Sequence, residues 1–217
     1  SLLIGNESLT IQAGTMLREA GHEIAALVSR NPEVRAWAEA RGIALHAPGP
    51  DLAERLDGVD YDWLLSVANL DIIPERLIAR AARGAVNFHD GPLPRYAGLN
   101  APVWALLAGE TRHGISWHMI EGGIDEGDIV VQRLFDIAPG ATALDLNSAC
   151  YSAAIDSFGA VIAALASGQP PRQRQDLSQR SYFGRDARPR AAARREFSQT
   201  PEALARLVSA LDHGGYA

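Results

Sequence analysis

Short runs of apolar residues alternate with longer, mixed stretches through the first 170 residues of this chain. The first run leads into a turn at Gly5 and the fourth stops at Asp90-Gly91-Pro92, which is typical of buried β-strands. Several mixed stretches open at a proline or close at a glycine, as helices do. Because strands that alternate with helices pair in parallel, the pattern predicts an α/β fold. The predicted strands are Ser1–Gly5, His22–Val28, Tyr61–Val67, Ala85–His89, His113–Ile120 and Ile129–Phe135, with a short extended piece at Ile43–His46.

The predicted helices fall between these strands and after the last of them. We expect a Rossmann-like domain, in which a mostly parallel sheet carries helices on both faces and the last two strands add antiparallel. The helices are predicted at Leu9–Ala20, Asn31–Arg41, Leu52–Leu56, Pro74–Ala82, Pro102–Leu107, Ala143–Ala166 and Pro201–Leu211.

The chain divides into a long first part and a short second part. Residues 1–170 hold the whole α/β pattern, so we expect them to form one domain. Residues 171–217 begin with a segment rich in Pro, Gln and Arg, and we interpret them as a linker and the beginning of a C-terminal subdomain. The chain starts inside an apolar run and ends on Gly214–Ala217, so we expect a piece of a longer polypeptide.

Composition excludes several classes of function. The chain has 20 basic and 26 acidic residues and a net charge of −6, which disfavours a nucleic-acid partner. All the basic residues are arginine, so neither Schiff-base chemistry nor a P-loop lysine is available. No apolar run reaches the roughly 18 residues of a membrane span. The single cysteine, Cys150, excludes an internal disulfide and predicts a reducing, cytoplasmic location.

The first strand leads into the turn Gly5–Leu9, where dinucleotide-binding folds carry three spaced glycines. Only Gly5 is present, and the carboxylate of Glu7 would repel a pyrophosphate. We therefore expect the Rossmann-like topology without a bound dinucleotide.

Asn87 and His89 stand two apart at the end of the fourth core strand. Their side chains therefore leave the same face of the strand, while Phe88 points into the core. Open α/β sheets bind ligands at the carboxyl ends of their strands. The stiff Gly91–Pro94 loop that follows suits the wall of a binding site. Taken alone, His89 is best interpreted as a structural histidine bonded to a backbone carbonyl; the neighbouring amide and the stiff loop favour a functional one.

A glycine-rich acidic turn, Glu121–Ile129, separates the last two predicted strands. Its glycines permit unusual backbone angles and close approach of a ligand. The ligand spacing of a calcium-binding loop is absent, and we interpret Glu126 and Asp128 as solvated. Asp125 follows an apolar residue and is the carboxylate that we expect to turn inward. The other histidines lack metal-ligand spacing, and His118 is interpreted as structural.

An amide, an imidazole and a carboxylate together suit one kind of chemistry. An amide N–H and an imidazolium both donate hydrogen bonds to an oxyanion as a tetrahedral centre forms. A nearby carboxylate orients the ring, stabilises its charged form and accepts a proton from an attacking amine, directly or through water. Because no serine or cysteine nucleophile is needed, Asn87, His89 and Asp125 indicate direct acyl transfer between two bound substrates.

Four motifs follow one another along the chain. They are Asn87-x-His89, Leu93-Pro94-Arg95-Tyr96-x-Gly98, Gly109-Glu110-x-x-x-Gly114 and Ile124-Asp125-x-Gly127-Asp128-Ile129-Val130-x-Gln132. In combination they are specific, and with them the chain resembles the 10-formyltetrahydrofolate-dependent formyltransferases over most of residues 1–170. That family includes glycinamide ribonucleotide, methionyl-tRNA, amino-sugar and hydroxyornithine formyltransferases, and the formylation domains of peptide synthetases.

The resemblance implies that Asn87, His89 and Asp125 form the catalytic triad. It also implies 10-formyltetrahydrofolate as the formyl donor, no metal, and a C-terminal subdomain that begins at Gln179–Leu211. The pterin pocket would be built from the loop after the third core strand and from the glycine-rich turn, largely through backbone groups. Its residues would be Leu70, Asp71, Ile72, Ile73, Gly122, Gly123 and Ile124.

Three departures from the family pattern bear on the acceptor. Asp90-Gly91 follows the histidine, Ala97 precedes the glycine of the tyrosine motif, and Val67–Asp71 lacks the common Ala-Tyr-Gly. Asp90 would favour a cationic amine. We favour the formylation domain of a nonribosomal peptide or polyketide multienzyme, which acts on a carrier-protein-bound aminoacyl group beside neighbouring domains.

Other acceptors and roles stay open. A stand-alone amino-sugar or hydroxyornithine N-formyltransferase, acting on a small-molecule amine, is the main alternative. A formyltransferase-like module that binds folate or a carrier partner without catalysis is another, and hydrolysis with water as acceptor is a third. Methionyl-tRNA is less favoured because the chain is acidic and lacks lysine, although the arginine-rich segment Arg172–Arg195 argues the other way.

Overall fold

The computed structural model describes residues 1–188 and 200–215. The strands of its main sheet are β1 (Leu2–Ile4), β2 (Ala26–Val28), β3 (Leu45–His46), β4 (Trp63–Ser66), β5 (Gly84–His89), β7 (Arg112–Met119) and β8 (Ile129–Asp136). Two short strands, β6 (Ala97–Gly98) and β9 (Tyr182–Phe183), form a separate pair. The helices are α1 (Ser8–Glu19), α2 (Pro32–Glu39), α3 (Leu52–Arg55), α4 (Glu75–Arg80), α5 (Ala101–Ala108), α6 (Ala143–Ala166) and α7 (Pro201–Leu211), with a 3₁₀ turn at Leu177–Gln179.

The main sheet has the strand order β3-β2-β1-β4-β5-β7-β8. Strands β1 to β5 of this sheet run parallel, and β7 and β8 add antiparallel at the β5 edge. The direction of strand addition reverses between β1 and β4, and sheets of this class bind ligands beyond the strand ends at such a point. The predicted Rossmann-like α/β fold is confirmed.

Each face of the sheet has its own hydrophobic core, because side chains alternate between the two faces of a strand. Leu3 of β1 packs in a cluster with α1, α2 and α6. Leu2 and Ile4, its neighbours, pack on the opposite face in a cluster with α3 and α4. Helices therefore cover both faces, as the sequence predicts.

Helix α6 begins at a capping box, in which the side chains of Thr142 and Asp145 each accept a hydrogen bond from the other's backbone N–H. Its length and its mean hydropathy of 1.6 over an 18-residue window would also suit a membrane span, by composition alone. Cys150 and Phe158 of this helix are buried in the core against the sheet, where Phe158 packs on Trp117. The helix thus has the contacts of a core helix in a globular domain.

The segment that the sequence predicts as a linker lies along the surface of the domain. Gln173 exchanges two backbone hydrogen bonds with Ile129, the first residue of β8. Strand β9 pairs in parallel with β6, and α7 packs against α5 and α6. The arginine-rich segment is described as far as Arg188; residues 189–199 and 216–217 lie outside the described residues.

Candidate active site

Strand β5 carries Asn87 and His89 to the carboxyl end of the parallel sheet. The antiparallel register with β7 places Asn87 directly opposite His118, and His89 opposite Ser116. Asn87 is half-buried and the ring of His89 is buried. Phe88 points the other way and packs against Trp117, with ring centroids 5.1 Å apart.

The two ring nitrogens of His89 face different partners. Nε2 lies 2.7 Å from the carbonyl oxygen of Tyr96, and since a carbonyl only accepts, this nitrogen carries a proton. Nδ1 lies 3.6 Å from Asp125 Oδ2 and 3.9 Å from Asp90 Oδ1. Nδ1 is therefore the ring nitrogen that faces the carboxylates.

Asp125 lies in the glycine-rich turn, where its backbone is left-handed with a φ of 56°. Its Oδ2 accepts a hydrogen bond of 2.8 Å from the Gly98 N–H, and its Oδ1 lies 3.3 Å from His118 Nε2. Burial would raise the pKa of Asp125, but the His118 hydrogen bond, the charges of His89 and His118, and the Gly98 N–H together lower it to about 2. The carboxylate is therefore ionised at neutral pH.

His118, which the sequence predicts as structural, belongs to this cluster. Its Nδ1 donates to the Met119 carbonyl at 2.8 Å. Nε2 then lies between the Asn87 amide nitrogen, at 3.2 Å, and Asp125 Oδ1. Without a proton Nε2 accepts from the amide, and with one it donates to the carboxylate. The one available signal is its position on a predicted strand just before the glycine-rich turn.

The loop that supplies the Tyr96 carbonyl and the Gly98 N–H is itself held in place. The Tyr96 hydroxyl donates to Glu110 at 2.7 Å, and Arg95 pairs with the same carboxylate. Burial and the Glu110 carboxylate raise the pKa of Tyr96 to about 12, so the phenol stays protonated and remains a donor. Tyr96 and Glu110 come from two different sequence motifs, and both contribute to holding this loop.

The loop Leu70–Ile73, predicted as one wall of a pterin pocket, follows β4 and is largely exposed. Leu70 and Ile72 are 77% and 92% exposed, whereas Ile73 packs in a cluster with Ile120, just before the glycine-rich turn. Asp71 pairs with Arg30 across the neighbouring loop.

A cavity of about 290 Å³ lies at the ends of β1, β2 and β4. Asp71, Ile72 and Ile73 line it together with Pro48–Pro50. Among the described residues, Leu70 and the turn Gly122–Ile124 do not contribute to its lining.

The glycine-rich turn forms the other predicted wall. Gly122, Gly123 and Ile124 are all exposed. The turn is tight at Gly127, where a side-chain Cβ would lie 1.9 Å from the carbonyl oxygen of Met119. Only a glycine therefore fits this position.

The prediction that Glu126 and Asp128 are simply solvated is corrected. Glu126 lies 3.6 Å from Arg180 and Asp128 lies 3.0 Å from Arg172, so each forms an ion pair with the segment after α6. That segment lies against the turn, which the sequence pattern of an isolated hairpin does not reveal.

The cluster as a whole combines an ionised carboxylate, two imidazoles and a primary amide near the carboxyl end of β5. Such a set can donate hydrogen bonds to an oxyanion, and the carboxylate can orient the ring of His89. Among the described residues, no group of three His, Cys, Asp or Glu side chains is arranged to hold a metal ion.

Comparison with known proteins gives consistent findings. The family model described as "Formyl transferase" matches residues 14–162 of the chain. A methionyl-tRNA formyltransferase from Solibacter usitatus (strain Ellin6076) is 28% identical over 194 residues, a match that covers 82% of this chain. The same match covers 62% of that relative, so the chain spans less than two thirds of its length.

Solved structures share the fold at lower sequence identity. A 4-N formyltransferase from Francisella tularensis superposes with a TM-score of 0.83 at 15% identity, covering 98% of this chain and 88% of that one. An N-formyltransferase from Helicobacter canadensis, solved in complex with folinic acid and dTDP-3-aminofucose, gives a TM-score of 0.77 at 18% identity, covering 97% and 80%. At this sequence identity, the two structures show that the fold is shared.

Proposed function

This chain belongs to the formyl transferase family, and we propose that it transfers a formyl group from 10-formyltetrahydrofolate to a primary amine. The observation that carries the proposal is the convergence of Asn87, His89 and Asp125 at one edge of the sheet. We assign these three as the catalytic residues, with His118 between two of them.

The proposed reaction exchanges one C–N bond for another. The amine nitrogen bonds to the formyl carbon, the bond from that carbon to N10 of the folate breaks, and a proton leaves the amine while N10 gains one. Asn87 and His89 donate hydrogen bonds to the oxygen on which negative charge develops. For His89 the available proton is the one on Nδ1, because Nε2 donates to Tyr96.

Asp125 has mainly an electrostatic role in this proposal. A carboxylate whose pKa is about 2 is a weak base at neutral pH. At 3.6 Å from Nδ1, its negative charge faces the ring of His89 and fixes the orientation of that ring. Its negative charge also stabilises the positive charge on the newly bonded amine nitrogen, whose proton leaves through water.

We propose that the folate donor binds between Leu70–Ile73 and Gly122–Ile124. The side chains of Leu70, Ile72 and Ile124 are exposed, and apolar side chains of this kind suit the flat face of an aromatic ring. The exposed glycine backbone of the turn offers N–H and C=O groups for the polar edge of that ring. When bound, the donor supplies the activated formyl group, and the proposed reaction requires no metal.

For the acceptor, we propose an aminoacyl group on a carrier protein within a natural-product multienzyme, whose neighbouring domains are then partners. Asp90 lies 3.9 Å from His89 Nδ1, which places a carboxylate beside the reacting atoms. Burial, and then the charges of Glu7 and Asp90, raise the pKa of the Tyr151 hydroxyl, so both carboxylates act on the same region. Negative charge there favours the binding of a cationic amine.

An amino-sugar or hydroxyornithine acceptor is the second candidate. Its support is the likeness of fold to the Helicobacter canadensis N-formyltransferase, which was solved with dTDP-3-aminofucose. A tRNA-borne amine is less favoured, because the net charge of −6 and the absence of lysine disfavour a nucleic-acid partner. We further propose a cytoplasmic location, on the single buried Cys150.

The experiment that tests this proposal incubates the purified chain with 10-formyltetrahydrofolate and measures both tetrahydrofolate and formylated product. One reaction lacks an amine, and the others contain an aminoacyl-pantetheine thioester, a nucleotide-linked amino sugar or hydroxyornithine. We expect equal amounts of tetrahydrofolate and formylated amine with the thioester. Tetrahydrofolate without an amine would identify a hydrolase, and donor binding without turnover would identify a binding module.

A further inference from the structure

The chain returns to the glycine-rich turn after α6 and forms hydrogen bonds to its backbone. The Gln175 amide nitrogen donates to the carbonyl oxygens of Asp125, at 2.9 Å, and Gly127, at 2.6 Å. The Arg180 guanidinium donates to the carbonyl of Ile124 at 2.9 Å. Three backbone carbonyls of the turn thus accept hydrogen bonds from side chains about fifty positions further along the chain. They belong to Ile124, Asp125 and Gly127.

Gln175 is the central member of these contacts, because it is 93% buried (7% exposed) and reaches two carbonyls of the turn at once. Within residues 1–188 and 200–215, it is the one donor to either carbonyl. Asp125 adopts a left-handed backbone, which a non-glycine residue keeps only where its surroundings hold it there. The Gln175 side chain is positioned to supply that restraint.

The same returning segment also holds the loop on the other side of His89. The Tyr96 N–H donates to the Ser181 hydroxyl at 2.8 Å, and β6 then pairs with β9. Close approach is possible because Gly98 has no side chain; a Cβ there would lie 2.2 Å from the Phe183 carbonyl oxygen. This loop is the one whose backbone binds His89 Nε2 and Asp125 Oδ2.

We propose that Gln175 is a positioning residue, which fixes the Asp125 carboxylate against His89 and His118 by holding the backbone of the turn. The proposal rests on the proposed function and deepens it. It extends the active site beyond residues 1–170, which we assign to the catalytic domain, into the first part of residues 171–217. Gln175 touches neither substrate nor reacting atoms, and it acts through Asp125.

The first test compares Gln175→Met with Gln179→Met. Methionine keeps the length and volume of glutamine but cannot donate. Gln179 is exposed on the same segment, and among the described residues its side chain bonds to Asp176 alone, so it is a matched control. We expect Gln175→Met to lower kcat about 10- to 100-fold with the KM for the amine unchanged, and Gln179→Met to behave as the unaltered chain. A Gln175→Met enzyme with full kcat overturns the proposal.

A double-mutant cycle separates positioning from general destabilisation. If Gln175 acts through Asp125, adding Gln175→Met to Asp125→Asn should cause no further loss of rate. If the two losses multiply, Gln175 is acting elsewhere and the proposal is wrong. Circular dichroism at the assay temperature confirms that each variant is folded.

A measurement without turnover keeps this proposal distinct from the proposed function. The ring-proton NMR resonances of His89 and His118 report the position of the Asp125 carboxylate. We expect both to shift in ligand-free Gln175→Met and to stay unchanged in Gln179→Met. Should the unaltered chain formylate no amine, the proposed function fails, yet shifted resonances still support positioning by Gln175. Unshifted resonances in Gln175→Met overturn the positioning role of Gln175, whether or not the chain is active.

Discussion

Two regions supply the polar groups of the candidate site, and the protein holds them in different ways. Asn87, His89 and His118 stand on neighbouring strands, where the backbone ladder between β5 and β7 fixes their mutual register. Asp125 stands in a turn with left-handed backbone at that residue, outside any ladder. Its position depends on the Gly98 N–H and on the Gln175 amide, which come from elements remote in sequence.

This difference between strand and turn shows which contacts fix the position of each polar side chain. A strand fixes the direction of its side chains by its own periodicity, so a strand residue needs few contacts of its own. A turn residue has no such frame, and remote parts of the chain have to restrain its backbone. The turn is therefore the region in which small changes should displace a reactive group.

The largest expected effect comes from removing a member of either region. His89→Ala on the strand and Asp125→Asn in the turn should each lower the rate of formyl transfer on the order of 10²–10³, because the first removes a proposed donor to the developing oxyanion and the second removes the carboxylate that orients that donor. Single-turnover rates with 10-formyltetrahydrofolate measure both. His22→Ala, a partly exposed histidine at the end of α1, is the control. An undiminished rate in either variant would refute the assignment of the triad.

The second effect tests the backbone of the turn without changing a polar group. In Gly127→Ala the new Cβ would lie 1.9 Å from the Met119 carbonyl oxygen, so the turn has to move. We expect a loss of about 1–3 kcal/mol of unfolding free energy and a fall in rate of about 100-fold. Denaturant unfolding and the transfer assay measure the two losses.

The control for that variant is Gly159→Ala in α6, where an added Cβ meets nothing within 4 Å. It should raise stability by about 0.5–1 kcal/mol, because alanine loses less backbone entropy than glycine in a helix. If Gly127→Ala retained both stability and rate, the turn would not be restrained in the way we describe.

The third effect concerns acid stability. The folded-state pKa of Asp125 is about 2, below its ordinary value of 3.8, so this carboxylate stabilises the fold fully above about pH 5 and loses that contribution as the pH falls through 2. The stabilisation is about 2 kcal/mol. Chemical denaturation of the unaltered chain and of Asp125→Asn at several pH values measures it. The difference in unfolding free energy between the unaltered chain and Asp125→Asn should shrink as the pH falls toward 2. A difference that does not change with pH would contradict the prediction.

The smallest effect is expected for a charged residue on a strand. Asp136 of β8 is 86% exposed and lies 3.3 Å from Arg112 of β7. Asp136→Asn should change the unfolding free energy by less than about 0.5 kcal/mol, since exposed ion pairs contribute little and the ladder between β7 and β8 holds the strands. A larger loss in thermal or chemical unfolding would mean that strand geometry also depends on side-chain pairs.

The secondary structure of the main sheet could be predicted from the sequence because its signals are local. Strands β1 and β5 stop at Gly5 and Asp90, and α2 and α7 open at Asn31 and Thr200, whose side chains cap them. The same-face placement of Asn87 and His89 follows from strand periodicity alone. The inward turn of Asp125 is an expectation whose geometry the structure now describes.

What could not be predicted depends on contacts between distant positions. His118 joins the cluster only through the antiparallel register that sets it opposite Asn87, and no local pattern specifies that register. The pair β6–β9 has two residues in each strand, too few for a periodicity. Gln175 lies in a stretch whose composition resembles a linker. Its burial could not be predicted, because it results from contacts with backbone carbonyls about fifty residues away.

The pairing of β6 with β9 has a practical consequence for anyone who moves this module between proteins. A chimera cut at the end of α6 would retain every residue of the triad but lose the strand at Tyr182–Phe183 and the amide of Gln175. In such a graft the carboxylate of Asp125 would lack these contacts. The useful crossover point therefore lies after Phe183.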